Sequence, residues 1–345
     1  MNILEKNDKQ KGATWLGVLF LVETALSVGL MLLASAGVFD KMPMLFTMSL
    51  AELSILIPSG IYIFVKKLSW KDDLGFKKIK AGTVVMTVIA TILLSPITSF
   101  VNVLSQFFVP NTMTQASDTL TEAAPWFVIL FYAGVIAPIC EEIAFRGVFG
   151  REMNKVASLL KASLVSGLLF ALFHMNLNQM AYAFVLGTVF AIVNIASGSI
   201  ITSIICHVLI NTFNMGLLLA MNAVMKVLGE GVSIAQASET ARQQKGMLVI
   251  MAAVYGVLAV IAFFILSVVI KWIAENEGNY EVYRAMFKKC KGGKTDIVNA
   301  GDDDKQEITD VLDDKQKEDR VLLNVPMMIG VIACAVIIII DMVAP

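Results

Sequence analysis

Histidine is nearly absent from this sequence. Of 345 residues only His174 and His207 are histidines, so any chemistry that needs an imidazole must use these two. Cysteine is almost as sparse. Cys140, Cys206, Cys290 and Cys334 form no CxxC or other paired spacing, and three of them lie in apolar blocks, where cysteine behaves as a small hydrophobe. That excludes a disulfide framework and a cysteine metal site. No HExxH is present, which removes that zinc signature. Gly293-Lys294-Thr295 lacks the leading glycine of a phosphate-binding loop, because Lys288 stands there. Asp302 and Asp304 lack the sixth-position glycine of a calcium loop, because Glu307 stands there. Charged residues make up only 16% and the net charge is −1, so nothing points to a nucleic-acid partner. No internal repeat is evident.

What the sequence has in excess is apolar residues: 57%, with a mean hydropathy of +0.76. They come in long blocks rather than at amphipathic spacing, so their solvent is the lipid bilayer. Nine segments near the ~20 residues needed to cross it are read at 13–37, 43–65, 81–108, 125–149, 157–175, 178–197, 200–224, 247–273 and 321–343. The first resembles a signal peptide at Ala34-Ser35-Ala36, but its apolar run is too long for one. The expected fold class is all-α, a polytopic transmembrane bundle of eight to nine helices. Spans one to three (1–124) precede a core of spans four to seven (125–224). A loop with span eight (225–274), a charged segment (275–320) and a last span (321–345) follow.

Lysine is distributed unevenly between the spans. Lys6, Lys9 and Lys11, six lysines within 66–80, Arg151 with Lys155 and Lys161, and the lysines at 288–294 fall on one side if nine spans alternate. The positive-inside rule makes that side cytoplasmic. Loop 109–124 has no Lys or Arg and falls outside, whereas loop 225–246 carries Lys226, Arg242 and Lys245 against the trend. Residues 275–320 hold 22 charged residues and few apolar ones, a composition that predicts disorder. The expected location is a plasma membrane, crossed several times.

Span four ends Pro138-Ile139-Cys140-Glu141-Glu142, followed by Arg146. Each such charge costs about 2.5–3.5 kcal/mol at a helix centre, so intramembrane carboxylates are functional candidates. Glu142 and Arg146, at i and i+4, share a helix face and can pair, whereas Glu141 points about 100° away and stays free to work. Pro138 removes a backbone hydrogen bond and is expected to open the helix beside the site. Span five carries Phe170 and His174. Span seven carries His207, Asn211 and Asn214 on one face. At ~1.5 Å per residue, Glu141, His174 and His207 lie about 15, 20 and 12 Å from the cytoplasmic edge, close enough to share one pocket. Each feature alone has a plainer reading: a structural ion pair, or His and Asn residues bonding neighbouring helices. Glu23 and Glu52 also sit mid-span with no partner legible in the sequence.

The ordered set EExxxR, FxxxH and HxxxN resembles the CAAX-protease/bacteriocin-processing (CPBP) family, which includes the eukaryotic Ras-converting CAAX endopeptidase and bacterial bacteriocin-processing or immunity proteins. The first motif falls on Glu141, Glu142 and Arg146, the second on Phe170 and His174, the third on His207 and Asn211; together they cover roughly 125–215. The resemblance implies an intramembrane endopeptidase, usually called a metalloprotease, acting on a peptide or protein substrate in or at the membrane. The residue types suit this. A carboxylate in a low-dielectric pocket becomes a better proton acceptor toward water. A neutral histidine shares the proton or binds a metal. His207 and Asn211 can donate to a developing oxyanion. Zinc held by Glu141, His174 and His207 and a metal-free, glutamate-activated water both remain open. So does a non-catalytic scaffold or immunity protein of the same fold. A transporter is disfavoured, because the ionisable cluster occurs once rather than in two matching halves.

Overall fold

The computed structural model of the chain describes residues 3–228, 233–287 and 323–343. Among these residues all regular structure is helical. The two long apolar segments at the start become α1 (Ile3–Ser35) and α2 (Met44–Lys66), and α3 (Ala81–Ser105) follows the lysine-rich loop. The loop without cations folds into two short helices, α4 (Thr112–Gln115) and α5 (Ser117–Ala123); Asn111 caps the first by accepting from the N–H groups of Met113 and Thr114.

The fourth span is one helical rod over Trp126–Asn154, but its pitch changes along its length. Regular stretches α6 (Trp126–Phe131), α7 (Ala137–Glu142) and α8 (Arg151–Asn154) alternate with π-helical turns at Tyr132–Ile136 and Ile143–Gly150. Pro138 therefore does not open the helix. It has no N–H to give the preceding turn, and the turn widens instead. The carbonyls it leaves free are taken by the span that carries His207: Thr212 Oγ1 donates to Gly134 O at 3.1 Å and Asn211 Nδ2 donates to Ala133 O at 3.4 Å. In lipid such carbonyls must find protein donors.

Next come α9 (Leu159–Phe173), α10 (Leu177–Ser197), α11 (Ile200–Leu228), α12 (Ile234–Gln243), α13 (Lys245–Glu277), α14 (Tyr280–Phe287) and α15 (Val325–Val343). Among the described residues eight helices are long and apolar enough to cross a membrane. The segment expected at 157–175 is the exception to nine spans: α9 has 15 residues, about 22 Å at ~1.5 Å per residue, against a ~30 Å core. It stops because Met175 turns left-handed (φ 52°) and Asn176 caps α10, accepting from Gln179 N at 2.8 Å. α9 and α10 form a tight antiparallel hairpin; a Cβ on Gly187 would stand 2.9 Å from Gly167 Cα.

Hydrogen bonds gather the loops at two ends. At one, Ser199 Oγ donates to Lys77 O (2.6 Å), Arg151 Nη2 to Gly198 O (2.9 Å) and Lys80 N to Glu277 Oε1 (2.8 Å). Ser69 N–H donates to Asp73 and holds its carboxyl below the usual carboxylate range, so it meets Lys155 Nζ, 3.6 Å away, as an ion. At the other end, Thr112 Oγ1 donates to Asn176 Oδ1 (3.1 Å), Asn178 Nδ2 to Ser105 Oγ (2.8 Å) and Thr114 Oγ1 to Ser238 Oγ (3.0 Å). The segments rich in lysine thus share one end, and the cation-free loop shares the other with α12.

The disorder expected for 275–320 is wrong for its first part. α13 runs to Glu277 before Gly278 ends it, and α14 packs against α10 and α13 with Met286 buried. The remainder, with Cys290 and the Asp302–Asp304 run, lies outside the described residues.

Candidate active site

Glu142 is fully buried and has no water around it to stabilise its charge. Its Oε1 receives two groups instead. Arg146 Nη1 lies 3.1 Å away, one helical turn on, and His207 Nδ1 donates from α11 at 2.9 Å. Arg146 is 2% exposed, and its guanidinium carbon stacks 4.2 Å from the Phe170 ring centroid and 5.4 Å from that of Phe190. Ring faces and one carboxylate, rather than a fan of hydrogen bonds, hold this cation in the bundle.

Glu141 points elsewhere, as a helix turning about 100° per residue requires. It is not partnerless, however: Oε2 lies 3.4 Å from His207 Nε2. His207 therefore sits between the two carboxylates. Because its Nδ1–H is committed to Glu142, Nε2 is the nitrogen turned toward Glu141. His174, the residue that closes α9, uses Nδ1–H to donate to Phe170 O at 3.0 Å, one turn back on that helix. A carbonyl can only accept, so His174 carries its proton on Nδ1 and Nε2 is left as an acceptor. The Phe170 ring stands edge-on to both imidazoles, with centroids at 4.9 Å from His174 and 5.6 Å from His207.

Glu141, His174, His207 and Asn211 line a single cavity of about 470 Å³ with Phe170, Gln179 and Tyr182. Glu142 and Arg146 stand behind its wall. Among the described residues no group of three or more His, Cys, Asp or Glu side chains is disposed to hold a metal ion. The set Glu141, His174 and His207 shares the cavity without forming such a group. Cys206 is buried on the far side of His207, with Sγ directed at Thr87 O (3.8 Å).

Two residues were beyond sequence reasoning. Glu52 of α2 has a buried carboxyl oxygen without a hydrogen bond and lies within electrostatic reach of Glu141 and Cys140. Its signal was a mid-span charge; what it faces depends on how α2 packs on α7. Thr212 bonds Gly134 O, and nothing in the motifs marks it. Glu23, by contrast, lies away from the cavity and accepts from Ser59 Oγ at 2.8 Å.

Residues 123–213, which carry every motif residue, match the family described as type II CAAX prenyl endopeptidase Rce1-like. The core of the chain is similar to that family. Two curated bacterial proteins are similar to it. YdiL of Bacillus subtilis (strain 168), named provisionally as a membrane peptidase, is 28% identical over 100 residues, 29% of this chain and 40% of that protein. The membrane-embedded CAAX protease MroQ of Staphylococcus aureus (strain USA300) is 29% identical over 92 residues, 25% of this chain and 37% of that protein. The chain thus matches about two fifths of the length of these relatives. No solved structure matches it. The eight long apolar helices among the described residues make this an integral multi-pass membrane protein, and the bacterial plasma membrane fits its bacterial relatives.

Proposed function

We propose that the chain is an intramembrane endopeptidase in which Glu141 activates water against a peptide bond of a membrane-associated polypeptide. One observation carries this: of two adjacent buried carboxylates, Glu142 is committed to Arg146 and His207, while Glu141 faces the cavity beside an imidazole nitrogen. A water held between Glu141 and the acceptor Nε2 of His174 has both protons engaged and a lone pair turned toward substrate. Its oxygen bonds to the carbonyl carbon as Glu141 takes a proton. The oxyanion is met by the Asn211 Nδ2–H that does not serve Ala133. When the C–N bond breaks, Glu141 returns that proton to the leaving amine. His207, fixed by Glu142, packs beside Glu141 and limits where its carboxylate can turn. No step is routed through a metal. The intact EExxxR, FxxxH and HxxxN motifs in an Rce1-like core favour this reading over a non-catalytic scaffold.

The test compares membranes of cells expressing the native chain and Glu141→Gln, read for new peptide termini, together with the melting temperature of each purified protein. Glu141→Gln should abolish the native-dependent termini, a loss on the order of 10²–10⁴-fold in rate, without lowering the melting temperature. Identical termini in the two strains would sink the hydrolytic reading and leave the scaffold.

A further inference from the structure

Apart from the groups around Glu141, the cavity wall comes from one end of the bundle. Met48 is in the first turns of α2, Thr98 and Asn102 are late on α3, Ala133 and Ala137 precede Glu141, and Met221 is late on α11. Asn111, Met113 and Thr114 belong to the cation-free loop itself. No wall residue comes from the lysine-rich loop 66–80 or from 150–161. Toward that opposite end the site is closed by fully buried Glu142, Phe145, Val148 and Phe149. A second cavity, of about 200 Å³, reaches Arg146 from the lysine-rich end past Gly150 and Asn154, but Glu141 and both histidines are absent from its lining. Arg146, with Glu142 behind it, is the partition between the two.

We propose that the site is loaded from the end away from the lysines, so that its substrate is a polypeptide segment presented at the non-cytoplasmic surface of the membrane. The lysine asymmetry sets the side. The lining sets the chemistry. Glu141 is the one acidic residue in the lining, and no Lys or Arg is there to hold an acidic side chain or a terminal carboxylate. Amides from five positions (Asn102, Asn111, Gln179, Asn211 and Asn214) alternate with methionines and leucines. Such a wall suits an uncharged, extended stretch whose backbone amides bond side-chain amides while its apolar side chains pack against Met215, Leu218 and Met221. Taking hydrolysis at Glu141 as proposed above, the bond cut lies in the stretch where a membrane-anchored chain emerges on that side.

Side of access is measurable without turnover. Asn111→Cys and Met221→Cys, in a chain with Cys290→Ser, are treated with a membrane-impermeant maleimide in right-side-out and inside-out vesicles, with Lys71→Cys as the opposite-side reference. The first two should label in right-side-out vesicles and Lys71→Cys only in inside-out ones. Labelling of the two cavity positions only where Lys71→Cys also labels overturns the route. In a second arm, maleimide on Met221→Cys, applied from the outside, should remove the native-dependent cleavage; full cleavage after complete labelling also overturns it. A chain that labels as expected while Glu141→Gln and native strains show identical termini refutes hydrolysis alone and leaves the outward-facing cavity standing.

Discussion

His207 touches both carboxylates, and at the scale of single residues this divides their roles. Removing charge from Glu142 leaves Arg146 buried against aromatic rings with no anion. Glu142→Gln should therefore lose stability first, by about 3–5 kcal/mol as for broken buried pairs in soluble proteins, and activity as a consequence. Thermal unfolding in detergent, read beside cleavage, separates this mutant from Glu141→Gln, which should melt normally and be inactive. A stable but inactive Glu142→Gln would reverse the assignment. A second expectation concerns zinc. Since no three donors among the described residues are grouped to hold an ion, exhaustive chelation and gel filtration should leave cleavage unchanged. A loss restored by added zinc would show that the donors regroup around metal. The pairing of Glu142 with Arg146 was legible in the sequence because i, i+4 spacing dictates it. The bridging position of His207 was not, because it depends on the rotation of α11 against the fourth span, which no local pattern encodes.

At the scale of helices, the fourth span and the α9–α10 hairpin position the site through close approaches. Pro138 leaves two carbonyls that α11 must satisfy, so Thr212 and Asn211 pin α11 to the turn just before Glu141. The proline was visible as a break, but sequence alone does not say whether a transmembrane helix opens or widens at a proline. Neighbouring donors decide that. The length of α9 was misjudged for a related reason: the expected span ran to Met175, but Met175 turns left-handed so that Asn176 can cap α10, and α9 stops at Phe173. Gly187 lets α10 pass against Gly167 and the Arg146 guanidinium, each 2.9 Å from where a Cβ would be. Gly187→Ala should cost about 1–3 kcal/mol by overpacking and displace Arg146, visible as a lower melting temperature together with reduced cleavage. An unchanged melting temperature would mean the hairpin separates freely.

For the whole molecule, the class of fold and the membrane setting were plain from hydropathy. The two ends of the bundle were plain from lysine. The start of the charged segment was misread, because composition averages over α14, whose Met286 and Tyr283 face inward while its charges face out. Joining residue 287 to 323 by a flexible linker should preserve folding and cleavage, whereas removing 280–287 as well should destabilise the protein by uncovering α10 and α13. Equal stability of the two deletions, measured by unfolding, would contradict that packing. The cancelled charges at the partition have one further consequence. A full charge moved across the bilayer feels about 2.3 kcal/mol per 100 mV. Here Glu142 and Arg146 offset one another, and in the proposed mechanism the working proton travels only between Glu141 and the atoms it touches. Turnover should therefore be electrically silent, running at the same rate in vesicles clamped at zero or at a large potassium diffusion potential, so that the proposed cleavage keeps its pace when the membrane loses its voltage.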